Sequence, residues 1–341
     1  MISGIVNLTT GPVGISREVM KALQEPPISH RSQEFKKLYK QTTEFLSSSF
    51  HVQETFLLTG SGTLANEAML QEIKYIRGHG LIISNGEFGN RLIEQARRNN
   101  LNFITYQVEW GKIFDLQKIQ NTISNNPTKW ILFCHCETST GVINGLNEIT
   151  AIAKRKNCLC FVDCMGTVGT MPLDLSNVAM ATASSGKGLA SIPGLAVIFS
   201  NIELAVKKDV PVYLDLHHYC LNSGIPFTIP SNLINALYVS ICQKLREQHF
   251  ELLDKYGREF FKILNKYDLI PFSNKNSKVF TLVTSQKRKE AFIHSLTDKQ
   301  ILLSHESDYL KKRQWCQLAS FGFYTEIQLK YVLNSLQHSR L

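Results

Sequence analysis

The chain has 341 residues, of which 43% are hydrophobic and 19% charged, an ordinary balance for a globular protein with room for one large domain and a smaller one. No run approaches the roughly 20 apolar residues of a membrane span. The start, MISGIVNLTTGPVG, lacks the basic region and long apolar run of a secretory signal, so the cytoplasm is the expected compartment. The net charge of +9 comes from scattered Lys and Arg, without the basic stripe that nucleic acid would require. An anionic small molecule needs only a few local positive groups.

In chain order, the first fifteen residues are too short to fold alone and should pack near a site built elsewhere. FLLT (56–59) reads as a strand and leads into a helix over 63–76. LIIS (81–84) precedes the helical stretch RLIEQARRNN, and FITYQV (103–108), WILFCH (130–135), CLCFVD (158–163) and LAVIF (195–199) are strand-like. FDLQKIQNTI and LNEITAIAKRKN between them carry helical patterns. Alternation of nearly all-apolar strands with helices predicts an α/β fold, a mostly parallel sheet covered on both faces. One long helix, SNLINALYVSICQKLREQHFELLDKYGREFFKIL, is expected to start at Ser231. It should link a large domain (16–245) to a smaller α+β C-terminal domain (246–341) holding FTLVT, ILLS, WCQLAS and a last helix.

The eight cysteines do not suggest a disulfide framework in this setting. Cys134 and Cys136, like Cys158 and Cys160, are two apart on strands and read as small core residues on one face. No metal site is expected, because His135 and Cys136 would point apart and zinc pairs usually space their cysteines more widely.

Ligands in such sheets gather at the carboxyl ends of the strands, and four features lie there. LLTGSGTLANEAML joins a strand to a helix through a Gly-Ser-Gly-Thr turn, either an ordinary βα turn or one whose free N–H groups and Ser61 and Thr63 hydroxyls make a phosphate cup. The same turn fits the dinucleotide pattern G-x-G-x-x-A, although the acidic residue that pattern needs further on, Glu87, comes late. CHCETSTGVING places hydroxyls after a strand, to bond a ligand or to cap a helix. Asp163 closes CLCFVD, where it could hold a metal, a ribose or a protonated ring nitrogen, or cap the following turn. ATASSGKGLAS sets Lys187 between two glycines, where a lysine can approach a carbonyl carbon and form a Schiff base, or can stand as a solvated loop residue. A phosphate-binding role is the alternative, but the Walker pattern is absent because Gly188 follows the lysine.

The order cup, hydroxyl loop, Asp and Lys is what a pyridoxal-phosphate (PLP) site needs. Together with TTGPVGISREVM, HRSQEF, NGEFGNR, VDCMGTVG, SSGKGLASIPG and PFTIPS, it closely resembles the class V aminotransferases of PLP fold type I. Within them the chain looks most like the alanine–glyoxylate and 2-aminoethylphosphonate–pyruvate transaminases. The resemblance implies transfer of an amino group between a small amine or amino acid and a 2-oxo acid, with pyridoxal 5′-phosphate as cofactor. It implies that Lys187 carries the cofactor as a Schiff base and then moves the proton. Asp163 would pair with the pyridine nitrogen. Ser61, Gly62 and Thr63 would hold the phosphate, with Ser185 near it. Phe88 would stack on the ring, and Thr138 would lie near its phenolic oxygen. Thr228 would reach the neighbouring subunit's cofactor, which implies a homodimer with shared active sites.

The sequence departs from the family at the substrate. An Arg that binds the substrate carboxylate is expected in an R-I-G-x-x-G stretch, and Gln317 stands there instead. Arg313 and Arg31 are the other candidate anion binders, and Thr10 and Gly11 in the N-terminal segment are candidate substrate contacts. A PLP lyase or desulfurase of the same fold is the alternative, for which Cys220 is the best-placed thiol. A non-catalytic PLP-fold binding subunit would need neither Lys187 nor Asp163, and a dehydrogenase would leave Lys187 unexplained.

Overall fold

The computed structural model describes residues 4–273 and 276–339. The chain begins with β1 (Val6–Asn7), α1 (Arg17–Gln24) and α2 (Gln33–Phe50). Ser16 and Ser32 start these helices by accepting from the N–H groups of Val19 and Phe35, the N-cap chemistry their side chains favour. Alternation follows: β2 (Glu54–Thr59), α3 (Gly62–Ile73), β3 (His79–Ser84), α4 (Glu87–Arg98), β4 (Phe103–Gln107), α5 (Leu116–Asn125) and β5 (Thr128–Cys134). The short hairpin β6 (Cys136–Glu137) and β7 (Val142–Ile143) precedes α6 (Leu146–Arg155), β8 (Leu159–Asp163), β9 (Met180–Ser184) and β10 (Leu195–Ser200). A short helix α7 (Leu216–Leu221) and α8 (Ser231–Lys244) complete this part.

Seven of these strands form one sheet in the order β2-β10-β9-β8-β5-β3-β4. β10 alone runs antiparallel to its neighbours, and the other pairings are parallel. Successive strand residues serve opposite faces. Leu57, Ile83, Phe133 and Val162 pack with α2, α5, α6 and α8, whereas Phe56, Ile82, Leu132 and Phe161 pack with α3, α4 and α7. Cover on both faces explains why the strands read as continuous apolar runs.

The C-terminal part comprises α9 (Glu247–Asn265), β11 (Val279–Leu282), α10 (Gln286–Thr297), β12 (Ile301–Leu302), α11 (Asp308–Arg313), β13 (Cys316–Ala319) and α12 (Glu326–Gln337). Its core gathers Phe260, Phe280, Leu318 and Val332, and it includes Val6 and Leu8 from the chain start. β1 pairs with β12, so the N-terminal segment is a strand of this unit.

The single long helix expected from Ser231 is two. Arg246 is extended, at φ −96° and ψ 141°, and breaks the helical run between Lys244 and Glu247. The break turns α9 away from the sheet and buries the ends of both helices together. Lys244 Nζ donates to the carbonyls of Phe321 (2.8 Å) and Gly322 (3.1 Å) and to His249 Nε2 (2.7 Å), bonds a straight helix could not aim. A second correction concerns the cysteines. Cys134 packs in the core but Cys136 lies beyond the end of β5 and faces a cavity, so the two do not act as one core pair.

Candidate active site

β2 turns through Gly60-Ser61-Gly62 into α3 at the carboxyl edge of the sheet. The first turn of a helix carries N–H groups without an intrahelical acceptor and the positive end of its dipole. The Ser61 side chain does not cap them. The turn opens instead on a cavity of about 430 Å³, lined there by Gly60, Ser61, Gly62 and Thr63. A Cβ at position 62 would collide with the Met165 sulfur, so glycine keeps this approach open.

Asp163, the last residue of β8, faces the same cavity and is 6% exposed. One carboxylate oxygen accepts from the Met165 N–H at 2.9 Å, and the other from the Asn66 amide at 2.9 Å. Asn66 is itself oriented by Thr182 Oγ1, which donates to its amide oxygen at 2.6 Å. Burial pushes the Asp163 carboxyl above the usual carboxylate range, while these donors and the Lys187 charge pull it back. A buried carboxylate in this condition gains from a cationic N–H partner.

Lys187 follows β9, and its side chain reaches the cavity beside the N-terminal segment. Its Nζ stands 3.4 Å from the Thr10 carbonyl and 5.5 Å from the centre of the Phe88 ring. Gly11, at φ +136°, brings the backbone against the lysine stem, where an added Cβ would stand 3.4 Å from Cγ. Burial lowers the Lys187 pKa, and Asp163 opposes that shift. A buried amine held toward its neutral form can act as nucleophile and base.

Glu137 connects the hairpin β6–β7 to the start of α4. Fully buried, it accepts from the N–H groups of Phe88 (3.1 Å), Gly89 (2.9 Å) and Ser139 (3.1 Å) and from the Ser139 hydroxyl (2.6 Å). It therefore sets the start of α4, which carries Phe88, relative to Thr138 on the opposite cavity wall. Burial raises the Glu137 pKa and the four donors lower it.

A wider chamber of about 760 Å³ adjoins the first and shares Gly11, Pro12, Phe88, Arg91 and Lys187 with it. Thr10, Glu87, Glu306, Asp308 and Tyr309 complete much of its wall. Among the expected residues, Ser61, Gly62, Thr63, Phe88, Thr138, Asp163 and Lys187 line the inner cavity, and Thr10 and Gly11 the outer one. Ser185 does not join them. Its hydroxyl donates to the Ile192 carbonyl at 2.6 Å and accepts from the Leu195 N–H at 3.1 Å, while Ser184 lines the cavity. Adjacent positions at a strand end point to opposite sides, and the other serine faces in.

Three expected anion binders are also placed elsewhere. Gln317 is wholly buried, and its amide N–H₂ donates to the carbonyls of Thr138 (2.7 Å) and Ser139 (3.0 Å) and to Thr281 Oγ1 (2.8 Å). Its amide oxygen accepts from the Tyr309 hydroxyl at 2.8 Å, and with both N–H donors engaged none is left for a substrate anion. The Arg313 guanidinium stacks 3.7 Å from the Trp110 ring centre. Arg31 is exposed before α2, outside both chambers. Thr228 is exposed and is not among the residues lining its own chain's two chambers. Cys220, on α7, is exposed and faces Glu54, away from the cavity, whereas Cys136 lines it. Asn66, Glu137 and Arg91 are functional candidates that sequence reading passed over. Asn66 had a signal, a polar residue one turn into the helix that follows the cup. Arg91 lay inside the quoted motif NGEFGNR.

The sequence profile described as aminotransferase class-V matches residues 17–212. The chain belongs to the class V aminotransferases. Its cofactor is pyridoxal 5′-phosphate, and its activity is that of an aminotransferase. The chain is 27% identical over 96% of its length to the soluble hydrogenase 42 kDa subunit of Anabaena cylindrica, covering 91% of that protein. It is 31% identical over 70% of its length to an uncharacterized aminotransferase of Methanocaldococcus jannaschii, covering 65% of it. A 2-aminoethylphosphonate–pyruvate transaminase of Pseudomonas putida is 30% identical over 56% of the chain and 54% of that protein. The class V fold is reproduced in the aspartate aminotransferase of Thermus thermophilus (TM-score 0.87, 22% identity, 98% of each chain). The alanine–glyoxylate aminotransferase of a Nostoc species has a TM-score of 0.86 at 22% identity, covering 99% of this chain and 96% of that one. The cavity fits the cofactor by its own chemistry: an uncapped helix start for the phosphate, a buried carboxylate for the ring N–H, and a buried amine on the same walls.

Proposed function

We propose that the amino group moves between a small amine or amino acid and a 2-oxo acid at the cavity that unites Lys187, Asp163 and the start of α3. That convergence, from three distant parts of the sequence, is the observation that carries the reading. The N–H groups of the Ser61–Thr63 turn would hold the cofactor's phosphate, and Phe88 would cover one face of its ring. When bound, the cofactor supplies an aldehyde for the amine and a ring that withdraws electrons from the substrate carbon. Asp163, fixed by Asn66 and Met165, would accept from the ring N–H and favour its protonated form. Lys187, once free, would take the substrate's α proton on its Nζ and carry it during the transfer. The second chamber leaves room for the substrate's own substituent.

Three coarser placements accompany this reading. The chain is proposed to divide into a large domain, 16–245, and a C-terminal domain, 246–341, at the extended Arg246. A homodimer is proposed, because Thr228 is exposed and free to serve a partner's site. A cytoplasmic setting is proposed on the eight free thiols, which a reducing compartment preserves.

Absorbance and chemical trapping test the central claim. Purified protein loaded with the cofactor should absorb in the near-visible, and borohydride should fix the cofactor on Lys187. Fixation at another residue, or in Lys187→Ala, would overturn the assignment. Incubation with amino donors should convert the cofactor to its amine form. Release of ammonia or sulfide without that conversion would favour a lyase.

A further inference from the structure

We propose that Arg91 anchors the anionic group of the amino donor and of the 2-oxo acid acceptor, in the place of the arginine that position 317 lacks. This rests on the transaminase reading above.

Besides Lys187, Arg91 is the only Lys or Arg on the walls of the two chambers among the described residues. It lies on α4 three residues after Phe88, which puts both side chains on one helix face. Its guanidinium carbon stands 4.8 Å from the Phe88 ring centre, and Lys187 Nζ stands 5.5 Å from the same centre. One ring therefore neighbours both the reacting amine and the cation, and both groups line the same two chambers. Among the described residues, the guanidinium's sole ion-pair contact is Glu87 at 4.0 Å, beyond hydrogen-bond range. Its N–H donors remain available for a carboxylate or phosphonate, which the planar fork binds through two parallel bonds. Gln317 offers no competing anchor, since both its amide N–H donors are engaged and it is wholly buried. Glu306 and Asp308 are exposed on the wall of the outer chamber alone, whereas Arg91, also exposed, lines both chambers and offers an entering anion its positive partner.

The test compares wild-type holoenzyme with Arg91→Gln, Arg91→Lys and Arg98→Gln, the last removing a charge from the exposed side of the same helix. Donors are L-alanine, 2-aminoethylphosphonate and putrescine, which has no acid group. Calorimetry measures maleate, an unreactive dianion, and the affinity for the cofactor separately. Arg91→Gln should raise KM for the two acidic donors and weaken maleate binding by roughly 10- to 100-fold, the value of a charge-assisted bond. Arg91→Lys should recover part of this, Arg98→Gln should match wild type, and cofactor affinity should not move. Unchanged maleate affinity in Arg91→Gln, a loss confined to cofactor affinity, or wild-type turnover of putrescine alone would overturn the proposal. If maleate binding depends on Arg91 while no donor converts the cofactor, the anion site stands and the transaminase reading falls.

Discussion

The floor of the inner cavity and the wall of the outer chamber are built on opposite plans. On the floor, Asp163, Asn66 and Thr182 form a closed chain of hydrogen bonds, and Glu137 spends its carboxylate on four donors. On the outer wall, Arg91, Glu306 and Asp308 are exposed, and Arg91 makes no hydrogen bond among the described residues. Buried polar groups must be satisfied within the fold, because each unmet one is costly. Solvated groups carry no such requirement and can change partners with the substrate. The rigid floor thus suits a cofactor that stays, and the open wall suits substrates that come and go.

Substitutions can break this contrast, and the largest effects should fall on the floor. Lys187→Ala should abolish turnover and covalent retention of the cofactor, measured by borohydride labelling and mass spectrometry. Asp163→Asn should lower kcat by about 10²-fold or more, as loss of a preorganised charge does, while the protein still binds cofactor. Glu137→Ala leaves three backbone N–H groups buried without an acceptor. Thermal unfolding should show a loss of at least ~2 kcal/mol, with weaker cofactor binding. Glu137→Gln, which keeps one oxygen acceptor, should recover part of both.

A pH series sharpens the contrast with a smaller effect. Burial lowers the pKa of His135 to about 4, and burial with the Lys244 charge lowers that of His249 to about 3. Their ordinary value is 6.5, so the unfolded chain takes up protons that the fold refuses as pH drops below it. The stability present above pH 6.5 should therefore fall toward pH 4 and further toward pH 3. His135 alone accounts for about 3 kcal/mol of this. Denaturant titrations of His135→Asn, which cannot take the charge, should show a flatter slope. On the outer wall, Asp308→Asn should change stability by less than ~0.5 kcal/mol. A larger loss would place Asp308 in the structure rather than in the solvated rim.

Much of the fold was legible because local pattern and tertiary cover agree. Apolar runs between amphipathic helices could only become a covered parallel sheet, and the cup, Asp163 and Lys187 stand at strand ends by sequence order alone. Two misreadings share a cause, since each depended on direction. Ser184 rather than Ser185 faces the cavity because a shift of one residue at a strand end reverses the side chain. The helix break at Arg246 is invisible to periodicity, which continues across it; Lys244 reveals it through carbonyl partners at 321 and 322.

By itself, then, the sequence determined the cofactor chemistry. A Gly-flanked lysine, a strand-end carboxylate and a helix-start turn require only chain order and local geometry to be recognised. The tertiary structure alone decided what surrounds them. Glu137 reaches backbone donors about fifty residues away, and Gln317 is filled by partners from 138, 139, 281 and 309. Arg91 became the available cation because folding brought Lys187 to the same Phe88 ring and turned Arg313 onto Trp110. Hydrogen-bond saturation and charge accessibility belong to the packed chain, and no spacing along the sequence encodes them.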